Sequence, residues 1–457
     1  MPPKFGTSGL RGLVVELTPA LVSAHVDAFL QACPIGTGLY VGRDLRPSSP
    51  DIAGMIIDAA RARGVDVTDC GDILTPGLAL AAMNAGAAAV MVTGSHIPAD
   101  RNGLKFYTPD GEITKEHEGA ILGALGNVSV YSGLQGALQT HACELDYVTR
   151  YVAAFPAKLL GMTIGLYSHS TVGRDVLRDV LRGLGAKVVE LGRSDTFIPV
   201  DTEAVPDDVR AQLKAWASEH PVDAIVSMDG DGDRPLLTDA AGEVVVGDVL
   251  GQITSALLGA ETVVTPVSSN TGAEAGGAFD QVVRTRIGSP YVIAGMEEVG
   301  GKVAGYEANG GFLLGFAADG IAPLMTRDAV LPLVATLVAA KGQGVASLVA
   351  SQPPRFTAAD RLQEVPTEVS KALVSELDTH QAKLADFVAK MGGVPAGVDR
   401  TDGLRITLTD GRIVHLRPSG NAPELRLYVE ADSVDAARAA LTQGLDVLRA
   451  VTAPPSA

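Results

Sequence analysis

The mostly apolar run from Val222 to Met228 stops at Asp229-Gly230-Asp231-Gly232-Asp233-Arg234. Its three carboxylates fall at i, i+2 and i+4. On an extended segment alternate side chains share a face, so all three converge on one point. Three like charges that close repel one another until a cation neutralises them. Carboxylate oxygens suit a hard ion such as Mg2+, and the glycines let the backbone turn tightly around it. A solvated acidic turn is the plainer alternative. Two rival motifs fail on spacing. An EF-hand loop requires Gly at its sixth position and Glu at its twelfth; Arg234 and Ala240 stand there. A phosphatase with an aspartyl nucleophile also opens on Asp-x-Asp after a strand, but Thr or Val is expected at its fifth position, and this chain has Asp233.

Other segments carry complementary groups. Thr93-Gly94-Ser95-His96-Ile97-Pro98 follows an apolar run. Ser95 is expected exposed at a strand end, between a Gly-permitted and a Pro-fixed turn. That placement suits a serine that carries a group, although a serine in such a turn can also be purely structural. The hydrolase signature G-x-S-x-G is absent here. Asn102-Gly103-Leu104-Lys105 resembles a hairpin turn that brings Lys105 back towards Ser95. A lysine near a metal and other cations can have a lowered pKa and act as general acid or base; an ordinary surface lysine is the alternative. In Gly305-Tyr306-Glu307-Ala308-Asn309-Gly310-Gly311, a carboxylate and an amide on a glycine-rich loop suit vicinal sugar hydroxyls. In Arg417-Pro418-Ser419-Gly420-Asn421-Ala422-Pro423, a planar cation and further donors sit on a curling backbone, a plausible phosphate cradle. Phe5-Gly6-Thr7-Ser8-Gly9-Leu10-Arg11-Gly12 is a further Gly/Ser/Thr-rich loop with a cation.

Alternating strands and helices must position these loops. Strands are expected at 38–41, 65–70 and 87–92, with a helix over 51–63. The pattern restarts with strands at 162–167, 187–191 and 224–228 and a helix over 173–184. It restarts again with strands at 262–267, 282–286 and 302–306, and helices after Asn270 and from Pro290. Three successive βαβ-type units imply three doubly wound or mixed-sheet α/β domains with sites at strand carboxyl ends. The tail differs. A hairpin over 403–416 turns at Thr409-Asp410-Gly411; a strand at 425–430 and a helix over 433–448 complete a smaller α+β domain. The expected boundaries are 1–138, 139–238, 239–356 and 357–457, with a polar helical stretch from Pro366 to Met391 near the last junction. The terminal residues from Ala453 are expected to fray.

Composition narrows the partners. At 457 residues the chain is too long for one core. A net charge of -17 argues against nucleic acid or an anionic membrane as a bulk electrostatic partner, so a phosphorylated substrate needs local cations. No stretch is long and apolar enough to span a membrane, and Met1-Pro2-Pro3-Lys4 opens no signal sequence. Cys33, Cys70 and Cys143 are far apart, form no CxxC pair and read as buried reduced thiols of a cytoplasmic protein.

Taken in order, these segments resemble the α-D-phosphohexomutase superfamily of phosphomannomutases, phosphoglucomutases and phosphoglucosamine mutases, from Phe5 to about Glu430. The resemblance implies four domains around a central cleft, three similar α/β units and a smaller fourth. It implies that Ser95 is phosphorylated in the active enzyme, and that Asp229, Asp231 and Asp233 bind Mg2+ together with the phosphoserine. Arg234 would lie close to that phosphate. Arg11 and Lys105 match the arginine and lysine of the family's FGTSGxRG and NGxK loops. Glu307 falls in its sugar loop; Arg417, Ser419, Gly420 and Asn421 fall in its phosphate loop. Three departures stand out. Ile97 replaces an Asn common after Ser-His. The sugar loop reads Glu-Ala-Asn-Gly-Gly in place of Glu-x-Ser-Gly-His, which excludes a histidine acid or base there. Asn421-Ala422 replaces Thr-Glu.

The implied reaction transfers the phosphoryl group of Ser95 to a hexose phosphate, with Lys105 as proton acceptor. The bisphosphorylated sugar turns around, held by Glu307 and Asn309, and its other phosphate returns to Ser95. Positioning and charge neutralisation carry such chemistry. The loop forms resemble bacterial phosphomannomutases, which favours mannose phosphate; glucose and glucosamine phosphates are the alternatives. A non-catalytic sugar-phosphate sensor would have lost Ser95 or a triad aspartate, and neither is lost. A phosphatase using Asp229 would carry label on aspartate, a mutase on serine.

Overall fold

The computed structural model describes residues 3–6, 9–127, 133–419 and 423–452. By internal contacts the chain divides into two compact units. One takes in 1–263 and 288–351, the other 264–287 and 352–457.

The first unit opens on a mixed sheet. Its strands, in spatial order, are Lys4–Phe5, Leu10–Leu13, Arg101–Thr108, Ala88–Val92, Leu39–Arg43, Val67–Asp72 and Leu138–Thr140. Ala88–Val92 runs parallel to Leu39–Arg43 and antiparallel to Arg101–Thr108. Its five residues are all buried, as expected of a central strand covered on both faces. The helices Pro19–Ala32 and Ser49–Ala62 lay Val22, Val26, Phe29, Ile52 and Ile56 on this sheet. Thr18 starts the first of them, its Oγ1 accepting from the Leu21 N–H at 3.3 Å, with Pro19 at the first helical position.

A second sheet orders Lys187–Leu191, Thr163–Tyr167, Ala224–Met228, Pro235–Thr238 and Val244–Val245. The first three strands are parallel; Ala224–Met228 then meets Pro235–Thr238 antiparallel, with Met228 opposite Pro235. The acidic segment is therefore the loop of a hairpin. Further along the unit Val303–Tyr306, Phe312–Leu314 and Leu324–Asp328 form an antiparallel ribbon, and Tyr306 faces Phe312 across the loop that carries Glu307 and Asn309.

In the second unit five antiparallel strands, Phe356–Gln363, Glu424–Ala431, Ile413–Pro418, Leu404–Leu408 and Pro395–Asp399, form one sheet in that order. The helices Thr367–Thr379, Gln381–Lys390 and Val434–Thr452 pack Leu377, Phe387, Val388 and Leu448 with Ile406, Leu416 and Leu427 from the strands. This is the α+β tail expected from the sequence.

Two local expectations change. Asn102-Gly103 is not a turn but lies within the strand Arg101–Thr108. Asn102 Nδ2 donates to the Ser48 and Ser49 hydroxyls at 2.9 and 3.0 Å, so the amide is spent on a neighbouring helix start. The segment 229–234 is a curled loop rather than an extended one. Asp229 Oδ1 accepts from the Asp233 and Arg234 N–H groups, both at 3.2 Å, and this curling brings the carboxylates together.

Candidate active site

Three loops of the first unit meet. After Val92 the chain turns through Gly94 and Ser95, and Ser95 holds a left-handed φ of 56°. Arg46 fixes this turn from beneath. Its guanidinium donates to the carbonyl oxygens of Ser95 (2.9 Å), Ile97 (2.5 Å), Pro98 (2.7 Å) and Arg101 (3.0 Å). Asp44 pairs with Arg46 at 3.1 Å and accepts from Thr93 and Ser49.

Ser95 was expected exposed and is instead fully buried. The acidic loop covers it: a Cβ at Gly230 would lie 2.6 Å from the Ser95 carbonyl oxygen, so only glycine permits this approach. Gly232, at φ 73°, completes the curl. Ser95 Oγ donates to Asp229 Oδ2 at 2.5 Å.

Asp229, Asp231 and Asp233 are buried, and one oxygen from each lies within 4.8 Å of the others. Lys105 Nζ sits between two of them, donating to Asp231 Oδ2 and Asp233 Oδ2, each at 2.6 Å. Thr75 clamps Asp231 twice: its Oγ1 donates to Oδ2 at 2.5 Å and its N–H to the backbone oxygen at 2.9 Å. Arg327 donates to Asp233 at 2.6 Å and reaches Glu307 at 3.4 Å. The charges separate accordingly. Burial and the two neighbouring carboxylates push Asp229 well above its ordinary range. Burial also raises Asp233, but Arg327, Lys105 and Arg234 outweigh it and hold Asp233 well below. Asp231 Oδ1 and Asp233 Oδ1 are buried without a hydrogen-bond partner among the described residues. Uncompensated buried carboxylate oxygens, all hard donors, fit a metal ion.

Arg234 Nη1 donates to His96 Nδ1 at 3.1 Å, and the same nitrogen lies 3.3 Å from Ser95 Oγ. Burial and the Arg234 charge bring His96 down to about 4, which leaves that nitrogen free to accept. Arg11, on the strand Leu10–Leu13, is lowered to about 10 by burial and by Arg234. Asn309 is buried; its Oδ1 accepts from the Gly311 N–H at 2.9 Å and shapes the loop.

Family models for phosphoglucomutase/phosphomannomutase match three stretches: alpha/beta/alpha domain I at residues 2–130, alpha/beta/alpha domain III at 244–356 and the C-terminal domain at 363–443. A phosphomannomutase of Sinorhizobium fredii is 46% identical over 473 residues, covering 98% of this chain and 99% of the relative. The chain belongs to the α-D-phosphohexomutase superfamily. A second phosphohexomutase relative, a phosphomannomutase of Salmonella muenchen, is 43% identical, with 94% of this chain and 92% of the relative covered. In fold, the chain matches a phosphoglucomutase/phosphomannomutase family protein from Burkholderia thailandensis with a TM-score of 0.79, at 22% identity, covering 99% and 98% of the two chains. The expected class, three α/β domains and a smaller C-terminal one, is that of the phosphohexomutases.

Within this phosphohexomutase chain, Ser95, Lys105, the three aspartates, Arg234 and Glu307 come together in the first unit, linked by the contacts above. Arg417 and Ser419 belong to the second unit. There Arg417 Nε donates to Asp402 Oδ2 at 2.9 Å, and the Ser419 N–H donates to the Glu424 oxygen at 2.9 Å. Gly420 and Asn421 lie outside the described residues. Sequence reasoning missed Arg327, Thr75 and Arg46. Arg327-Asp328 closes the strand Leu324–Asp328, and Arg46 follows Asp44 just past the strand Leu39–Arg43. A charged pair at a strand's carboxyl end was the available signal.

Proposed function

We propose that this chain is a phosphohexomutase that interconverts hexose 6-phosphate and hexose 1-phosphate, with mannose phosphate as its substrate. The observation that carries this reading is Ser95 Oγ held at 2.5 Å from Asp229 within a buried acid triad ringed by Lys105, Arg234 and Arg327. The 46% identical phosphomannomutase supports mannose phosphate; phosphoglucosamine mutases are more distant relatives, at 28–30%.

Asp229, Asp231 and Asp233 would hold Mg2+ with the Ser95 phosphate. The ion supplies charge neutralisation for phosphoryl transfer and polarises the leaving oxygen. Arg234 and Arg11 stabilise the charge on the transferring phosphoryl group. Glu307 and Asn309 hold the sugar hydroxyls in both of its orientations. Arg417, Ser419, Gly420 and Asn421 hold the phosphate that is not reacting. Lys105 accepts the proton of the attacking hydroxyl. Its Nζ shares the carboxylates the ion would use, so its availability depends on their being engaged elsewhere. Asp229 is poorly placed as a nucleophile: Oδ2 accepts from Ser95 and Oδ1 from two backbone N–H groups.

The test is a coupled assay over mannose, glucose and glucosamine 1-phosphates with wild type and Ser95→Ala. Mannose 1-phosphate should give the highest kcat/KM, and the alanine variant should lose several orders of magnitude. Intact mass of the wild type should show one phosphate on part of the population, mapped to Ser95. Substantial mutase activity in the variant, or label on Asp229, would remove the phosphoserine mechanism. A preference for another sugar would revise only the substrate.

A further inference from the structure

The sequence separates Cys70 and Cys143 by most of a domain, but the fold puts their sulfurs in contact. Cys143 Sγ lies 3.0 Å from Cys70 Sγ, and both side chains are buried. Backbone pairing holds them there. The strand Val67–Asp72 runs parallel to Leu138–Thr140, with Asp69 opposite Thr140, and the His141 N–H donates to the Asp69 oxygen at 3.1 Å. Paired strands lie roughly 4.8 Å apart, within the span of a disulfide.

The two sulfurs differ in character. Cys143 precedes the helix Glu144–Ala154; its side chain makes no cap hydrogen bond, and its Sγ lies 3.5 Å from the His141 carbonyl oxygen. Its hydrogen bond with Cys70 lowers the Cys143 thiol and raises that of Cys70. Ala142 and Glu144, on either side of Cys143, line a cavity of about 560 Å³ bordered also by Asp72 and Ile73. The cavity thus reaches the residues on both sides of the buried Cys143, one side chain away from its sulfur. Cys33 is different: it lies in the core of the first sheet, and burial pushes its thiol up to about 11.

We propose that Cys70 and Cys143 are a redox modification site, oxidised by a small peroxide to a reversible intrachain disulfide. The Cys143 sulfur attacks one peroxide oxygen, the O–O bond breaks, and the departing hydroxide takes a proton to leave as water. The resulting Cys143 sulfenic acid is attacked by the Cys70 sulfur; the S–S bond forms, the S–O bond breaks, and a second water leaves with the Cys70 proton. Hydrogen peroxide gains two electrons and the two thiols lose two. The link joins two supports of the acidic loop. Thr75, shortly after Cys70, clamps Asp231. Tyr147 and Tyr151, on the helix that Cys143 begins, both donate to the Asp328 carboxylate, next to Arg327. This inference does not depend on the mutase reading.

The test treats the full chain with hydrogen peroxide in thiol-free buffer, removes the oxidant, denatures, and alkylates with N-ethylmaleimide. The three cysteines of the untreated protein should all react. After oxidation only Cys33 should, with an intact-mass loss of about 2 Da before alkylation. A non-reducing digest should yield one peptide joining Cys70 to Cys143, and dithiothreitol should restore all three thiols. The linked form should melt higher by on the order of 5 °C, because the closed loop is long. Cys143→Ser should form no link. The proposal is overturned if all three thiols still react after peroxide, if oxygen adds without a cross-link, or if Cys33 is the partner. A link that leaves the melting midpoint unmoved removes its role as a fastening between the two supports.

Discussion

At the scale of single residues, Lys105 and Arg327 set the charge balance of the acid pocket, and they make opposite predictions. Lys105 competes with any metal for Asp231 and Asp233. Lys105→Met should therefore bind Mg2+ more tightly, by roughly ten- to a hundredfold if one charge-assisted pair of about 1.5–3 kcal/mol is relieved, while catalysis falls. Calorimetric titration checks this; weaker binding in the variant would contradict the competition. Arg327 is buried and faces Asp233 and Glu307. Arg327→Met strands both carboxylates and should cost about 3–5 kcal/mol of stability. Urea unfolding should show it, with Arg327→Lys recovering part. The sequence made Lys105 visible because a motif surrounds it. Arg327 was harder to see: the charged pair at its strand's end marks the position, but its partners Asp233 and Glu307 lie far away in the chain.

Elements decide where such residues point, and they differ in how plainly the sequence marks them. Apolar runs such as Ala88–Val92 and Ala224–Met228 announced themselves, and their carboxyl ends hold the chemistry as strand-end logic requires. Asn102-Gly103 misled, because a turn dipeptide can be drawn into a strand when its amide finds partners on a neighbouring helix. His169 shows a support that no motif marks. It follows the strand Thr163–Tyr167, is fully buried, and its Nε2–H donates to the Met228 oxygen at 2.8 Å, one residue before the acidic loop. Burial brings it down to about 4 from its ordinary 6.5. A histidine depressed in the folded state contributes stability that is fully present above 6.5 and is lost as the pH falls towards 4. At pH 5 the loss should be about 2 kcal/mol. Trp216 is the single tryptophan and packs on Tyr167, which in turn touches His169, so its fluorescence reports on this sheet. The urea midpoint followed at Trp216 should drop between pH 7 and pH 5, and His169→Gln should flatten that drop. An unchanged slope in the variant would assign the acid sensitivity elsewhere.

At the scale of the whole molecule, the acidic composition leaves local cations to hold a doubly phosphorylated sugar. If the Arg417 loop serves both orientations of that sugar, Arg417→Ala should lower kcat/KM for the 1-phosphate and the 6-phosphate alike, by on the order of ten- to a hundredfold. Measuring both directions decides it, since a loss confined to one isomer would mean the loop serves one orientation only. The plan of three α/β domains and a smaller tail was legible because the alternation of strands and helices restarts twice and then gives way to a hairpin. The grouping of 264–287 with the C-terminal residues was not, because it follows from contacts between distant segments. That interleaving has a consequence on the ribosome. A nascent chain that has reached residue 263 already carries Ser95, Lys105 and the three aspartates, yet Glu307 and Arg327 have still to be made. Translating 264–351 takes on the order of ten seconds at ordinary rates. During that interval the chain carries Asp229, Asp231 and Asp233 without Arg327. A divalent ion bound during that interval would offset the guanidinium still to come.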